Sequence, residues 1–335
     1  MSFSLRLAFI FVLLINMFAC FASAQAATKR LAFAFIDADD AKPPFLESIL
    51  NAPDIDGLSV GLQWKSVEPE KGRFDWSKLD YIVREAAKRK RLVSISFIGS
   101  PKTPDWLANE KVQFFTSASL NRSIVVDPVP WDAAYLAFYK KFLAAAAVHL
   151  KQLNMTPYIF AVGVAAPSRS ITLVNCRHNK MGSVAYDRNK YLAACTQMID
   201  AYHLYFPTAR QLVTAPQISM ICAPDEDKAF FQELMNYALS KYGQSCWILV
   251  KDLRYDGSAN IQSIQTYVGR TALGFQLAGV SKVSDDKGIG GSFPSNFQQA
   301  ILYGIKSGAL YFEIHGADAI SDDPTVRAAI ASIHH

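Results

Sequence analysis

The sequence predicts a single α/β domain, a (β/α)8 barrel, on three observations. Eight short apolar segments recur along the chain, helical stripes separate several of them, and no linker or low-complexity tract divides it. The segments are Leu31 to Ile36, Leu58 to Trp64, Leu92 to Phe97, Tyr158 to Val164, Gln211 to Thr214, Cys246 to Lys251, Ala272 to Leu277 and Ala309 to Glu313. Runs of this kind suit parallel strands covered on both faces. Eight of them favour closure into a TIM barrel. An open doubly wound sheet is the competing architecture, but the first strand is not followed by the Gly-rich turn of its dinucleotide-binding form.

The helical stripes have the 3.6-residue period that lets one face cover a barrel. Asp75 can cap a helix whose stripe is Leu79, Ile82, Val83 and Ala86. After Pro130 a longer helix aligns Tyr135, Tyr139, Phe142, Leu143, Ala146 and Leu150. Leu192, Cys195, Ile199 and Tyr202 form the next stripe, followed by Phe231, Leu234, Met235 and Ala238. Phe297, Ala300, Ile301 and Gly304 precede the last strand, and Pro324 starts a closing helix. The long connection between the third and fourth strands, with Pro101 to Trp106 and Asp127-Pro128, is expected to form an ordered wall over one end of the barrel.

At the N-terminus Arg6 precedes the apolar run Leu7 to Phe21 and the small-residue sites Ala22-Ser23-Ala24 and Ala24-Gln25-Ala26. This is the pattern of an export signal over residues 1–26, leaving residues 27–335 as one secreted or periplasmic domain. Cys20 sits in Met17-Phe18-Ala19-Cys20, a poor match for lipid attachment. No second run approaches bilayer length, so no stable transmembrane association is expected after signal removal. The net charge of +5 is dispersed. Its densest run, Lys88-Arg89-Lys90-Arg91, reads as a solvated helix end rather than a nucleic-acid patch. The four cysteines of the processed chain, Cys176, Cys195, Cys222 and Cys246, permit two disulfides in an oxidising compartment. Cys176 and Cys222 fall in loops after consecutive strands and are the first candidate pair, with Cys195 and Cys246 the second. None of their spacings is that of a zinc site, and His178 with His315 specifies no third ligand. No metal and no cofactor is expected.

Gly61-Leu62-Gln63-Trp64, Val67-Glu68-Pro69-Glu70-Lys71-Gly72-Arg73-Phe74-Asp75-Trp76 and Leu79-Asp80 together resemble the start of many barrel glycoside hydrolases. The broad group that includes beta-galactosidases and cellulase-like enzymes is meant. Pro104-Asp105-Trp106-Leu107 and Asp127-Pro128 extend the likeness. The resemblance implies an oligosaccharide or polysaccharide partner and two carboxyl groups, one after the fourth strand and one after the seventh. The chain departs from it at both places. Ala165-Ala166-Pro167 stands where an Asn-Glu pair is usual, and Gln276 takes the place of the usual carboxylate.

Other acids remain. Glu313 ends the eighth strand, Asp252 ends the sixth beside Lys251 and Arg254, and Asp37, Asp39 and Asp40 follow the first. Glu68 can point inward or fix the turn into the next helix. Trp64 and Trp106 are candidates for stacking on a sugar, Gln276 and His315 for binding its hydroxyls, and Tyr255 for the rim. Two readings follow: a glycoside hydrolase with displaced acids, using Glu313 with Glu68 or Asp252, and a catalytically inactive carbohydrate-binding barrel. In both, Glu313 is expected to project into the cleft near Gln276 and to contribute to sugar handling.

Overall fold

Eight parallel strands close into a ring in the order β1 (Leu31–Asp37), β2 (Gly57–Gln63), β3 (Leu92–Ile98), β6 (Ile159–Gly163), β7 (Arg210–Thr214), β8 (Cys246–Leu253), β9 (Leu273–Leu277) and β10 (Ala309–His315). β10 then pairs with β1. The computed structural model describes residues 29–100, 102–118, 124–167, 184–215, 224–254, 264–278, 281 and 294–335. All eight expected strands are present within two residues of their predicted ends.

Side chains alternate between the bore and the helical shell, as a two-residue period requires. Along β1, Ala32, Ala34 and Ile36 join the large cluster shared with the helices, while Phe33 faces inward. The bore is filled at that level by Phe33, Phe160, Ala161, Leu212, Leu249 and Tyr311. It is a packed core and not a pore. Phe33, Phe160 and Tyr311 meet with ring centroids 4.9 to 5.9 Å apart.

The shell comprises α1 (Pro43–Asn51), the one-turn α2 (Trp64–Val67), α3 (Ser77–Lys88), α4 (Ala133–Gln152), α5 (Arg188–Tyr205), α6 (Pro224–Tyr242), α7 (Pro294–Lys306), the one-turn α8 (Gly316–Ala319) and α9 (Pro324–Ala331). Their stripes are buried as expected, save that Leu192 is only half-buried. Acidic side chains bind backbone amides at several helix starts. Asp75 accepts from the Ser77 amide at 2.9 Å, Asp132 from Tyr135 at 2.8 Å and Asp323 from Thr325 at 2.8 Å. Between β8 and β9 the described residues hold only a 3-10 turn, Gln265–Tyr267, where a regular barrel places a helix.

The connection from β3 to β6 contains an antiparallel hairpin, β4 (Phe114–Ala118) with β5 (Ile124–Pro128). Asp127 ties it to the end of β3 by accepting a hydrogen bond from the Ser100 hydroxyl.

Cys195 and Cys246 are not bridged, contrary to the second expected pair. Cys195 lies on α5 beside Tyr191, whereas Cys246 opens β8 with its Sγ 3.8 Å from Gln211 Oε1. Each is fixed in its own packed niche. Burial pushes both thiols up, that of Cys246 to about 12. Cys176 and Cys222 lie outside the described residues.

Candidate functional site

The mouth of the barrel, at the carboxyl ends of the strands, is where a fold of this kind carries its chemistry. Just below it, the layer above the aromatic plug is polar. Glu313 on β10 is 2 % exposed, and three neutral donors surround it. Ser59 Oγ donates to Oε1 at 2.7 Å, Tyr311 OH to Oε1 at 2.9 Å and Gln276 Nε2 to Oε2 at 2.8 Å. Tyr311 OH also lies 3.1 Å from Ser94 Oγ. A phenol has one proton, so when Tyr311 gives it to Glu313, Ser94 donates to Tyr311. Every proton of the network then runs toward Glu313. Burial above all, and then the Glu313 charge, holds the Tyr311 phenol well above its ordinary range and keeps it a donor.

Gln276 does neighbour Glu313, but Glu313 is enclosed within the bore instead of projecting into an open cleft, because inward-facing Ser59, Tyr311 and Gln276 close over it. Register explains the contact, since Glu313 stands level with Gln276 on one side and with Phe33 on the other. With its amide nitrogen committed to Glu313, half-buried Gln276 has a carbonyl oxygen that meets no donor among the described residues. His315 is one layer higher, its Nε2 3.3 Å from the Leu277 carbonyl and its ring edge-on to Phe35 at 5.8 Å.

Asp37 ends β1 at the mouth. Gly61 makes room for it, because a Cβ there would lie 3.0 Å from Asp37 Oδ1. Burial, and then repulsion from Asp40 and Asp39, raises the Asp37 carboxyl above its ordinary range, with Lys102 pulling it partly back. Asp39 itself pairs with Lys78. Asp37 lies four residues beyond Phe33, the residue level with Glu313. At ~3.3 Å per residue that is an offset of about 13 Å along the strands, against roughly 5–9.5 Å between the carboxyl groups of a hydrolytic pair.

Three expected site residues have other duties. Glu68 accepts from Trp64 Nε1 at 2.7 Å and from the Gly72 amide at 2.8 Å, so both its oxygens fix the turn after β2. Trp64 is fully buried against Trp106, Tyr135, Tyr139 and Phe142 and presents no face to a sugar. Trp106 is partly buried over that cluster, with its Nε1 donating to the Glu68 carbonyl at 3.0 Å. The reason is alternation: Gly57, Ser59, Gly61 and Gln63 share the inward face of β2, which turns Trp64 outward under α4. Ala165 and Ala166 do follow the fourth barrel strand, and both are buried. Asp252 lies in β8 but its side chain is outside the described part of the structure, as are Tyr255 and His178.

Ser59, Ser94 and Tyr311 were not expected at the site. Their signal is in the sequence as polar residues two apart in otherwise apolar strands, Ser94 with Ser96 and Tyr311 with Glu313 and His315.

A closed eight-stranded parallel barrel, with a polar layer between its aromatic plug and its mouth, defines the class as (β/α)8. Among solved structures the chain is similar to the catalytic domain of beta-amylase from Paenibacillus polymyxa, with a TM-score of 0.62 over 92% of this chain and 100% of that one, at 9% identity. At that identity the likeness is one of fold, and the fold is one that a glycoside hydrolase uses. No protein-family model and no curated protein sequence matches the chain.

Proposed function

We propose that the chain is a secreted carbohydrate-binding barrel whose mouth holds an oligosaccharide or polysaccharide through Gln276 and His315, with Glu313 as the positioning residue that fixes Gln276. The observation that carries this reading is the enclosure of Glu313 by Ser59, Tyr311 and Gln276. A carboxylate saturated by donors within the bore is suited to holding an amide in one orientation. A nucleophile needs an oxygen aimed at the anomeric carbon. The apolar edge offered by Phe35 beside His315 suits the face of a sugar ring. Export through residues 1–26 and a Cys176–Cys222 bridge belong to the same reading.

A glycan array combined with a chromogenic glycoside panel across pH tests it. Binding without turnover is the expected result. Turnover that Glu313→Gln abolishes, with the fold intact by circular dichroism, would establish hydrolysis instead.

The second reading, an atypical hydrolase, has one observation in its favour. The raised Asp37 carboxyl has the character of a general acid. Asp252 from β8 would then supply the second carboxylate, since Glu313 is too far along the strands from Asp37 to pair with it. Turnover lost in Asp37→Asn and recovered with substrates whose leaving group needs no protonation is its signature.

A further inference from the structure

The strands of the closed parallel barrel all start at one face, opposite the mouth, and the shell helices end there. Among the described residues five large apolar side chains are exposed, and three of them stand at this face. Val148 near the end of α4 is 55 % exposed, Leu204 at the end of α5 is 70 % exposed, and Val268, ahead of β9, is 52 % exposed. The Thr271 hydroxyl donates to the Cys246 carbonyl at the start of β8, which fixes the Val268 turn at the same end. Each of the three borders a groove that also carries a lysine. Val148 and Leu204 line a space of about 470 Å³ over buried Ile159, Phe206 and Ala209, with exposed Lys151 at its edge. Val268 lines a second, of about 320 Å³, with exposed Lys306.

The charge at this face is unbalanced. Lys90, Lys151, Arg270 and Lys306 are exposed, and among the described residues none has an acid within ion-pair reach. Nearby acids are largely committed. Asp56 holds Lys29, Glu85 holds Lys88 and Arg89, and Asp200 holds Lys241, while Asp54 has no cation. Helix dipoles favour cations at helix ends, which accounts for Lys151 and Lys306 but not for the apolar side chains left in water beside them. The four cations precede β3, β6, β9 and β10, so they are spread around the ring and only a broad, flat partner meets them together. A bilayer with anionic headgroups is flat, negative at its surface and apolar beneath. We propose that the amino-terminal face of the barrel docks on an anionic lipid surface. Val148, Leu204 and Val268 enter between the headgroups while Lys90, Lys151, Arg270 and Lys306 meet the phosphates. The mouth, where Asp37, Asp39 and Asp40 follow β1, then faces away from the membrane, and the docking does not depend on what the mouth binds.

Cosedimentation of the chain from residue 27 onward, which contains every described element of the barrel, tests the proposal. The vesicles are of phosphatidylglycerol mixed with phosphatidylcholine, and of phosphatidylcholine alone. Binding to the anionic vesicles should be at least about tenfold tighter, since each Lys or Arg near such a surface contributes about fivefold. The difference should shrink as salt brings the screening length below about 8 Å. Lys151→Glu should weaken binding by about tenfold. Val148→Ser with Leu204→Ser should weaken it severalfold at unchanged salt dependence. These are exposed side chains, so the fold should persist by circular dichroism. Lys42→Glu, at an exposed position ahead of α1 on the mouth side, makes the same change in net charge and should have little effect. Equal binding to both kinds of vesicle, or none to either, would overturn the proposal. Equal losses from Lys42→Glu and Lys151→Glu would overturn it too, because adsorption by net charge favours no face.

Discussion

Replacing Glu313 by leucine isolates what the bore network contributes. The substitution keeps side-chain size close and removes both oxygens. Its three donors respond differently. Tyr311 can turn its proton to Ser94 Oγ, 3.1 Å away, and half-buried Gln276 can reach water. Ser59 is buried and loses the acceptor it had at 2.7 Å. A stranded buried donor costs roughly 1–3 kcal/mol, and the loss of charge-assisted bonds roughly as much again. Removing a buried carboxylate that has no counter-ion offsets part of this, so a net loss of about 2–4 kcal/mol is expected. Urea unfolding followed by circular dichroism reads it as a lower midpoint at unchanged slope. The double variant Glu313→Leu with Ser59→Ala removes donor and acceptor together. It should be more stable than the sum of the two single losses by about 1 kcal/mol or more, as expected of groups in direct contact. Additivity within ~0.5 kcal/mol, or a Glu313→Leu variant as stable as the parent, would refute the network.

Three further outcomes follow from the same geometry. Glu68→Ala strands the Trp64 indole N–H and the Gly72 amide and should cost roughly 2–4 kcal/mol in urea unfolding. Glycan affinity should stay unchanged, and a folded variant that had lost it would return Glu68 to the site. Asp37 has a folded pKa raised above its ordinary 3.8, so its ionisation opposes folding as pH rises through the raised value. Asp37→Asn should therefore be more stable than the parent at pH 7, with the gap closing below the ordinary Asp range; a constant gap across pH would contradict the linkage. Iodoacetamide at neutral pH should leave Cys195 and Cys246 unmodified in the folded protein and label both after denaturation, since burial holds both thiols up. Native labelling at either position, read by peptide mass, would count against the packed niches.

The barrel was legible because its signals are local. Short apolar runs, 3.6-residue stripes and an acid ahead of a helix such as Asp75 each act within a few residues, and the strands they define agree with the closed ring. The inward face follows from the two-residue period, in Gly57, Ser59, Gly61 and Gln63 of β2 and in Tyr311, Glu313 and His315 of β10, although of these only Glu313 and His315 were expected at the site. Applied to Trp64, the same period turns its ring away from the mouth. The resemblance to hydrolase sequences drew attention to Trp64 and Glu68, but it does not specify which surface a side chain serves.

Ring closure decided the rest. Ser59 and Glu313 are 254 residues apart and meet only because β10 pairs with β1 and β1 with β2. The bond from Gln276 to Glu313 depends in turn on the register between β9 and β10. The fate of Glu68 was likewise tertiary, because the packing of α4 over Trp64 fixes the indole that Glu68 accepts from. Composition and period specify which residues face inward. Only the closed barrel specifies which inward residues are neighbours, because a hydrogen bond of under 3 Å requires a register that no short segment contains.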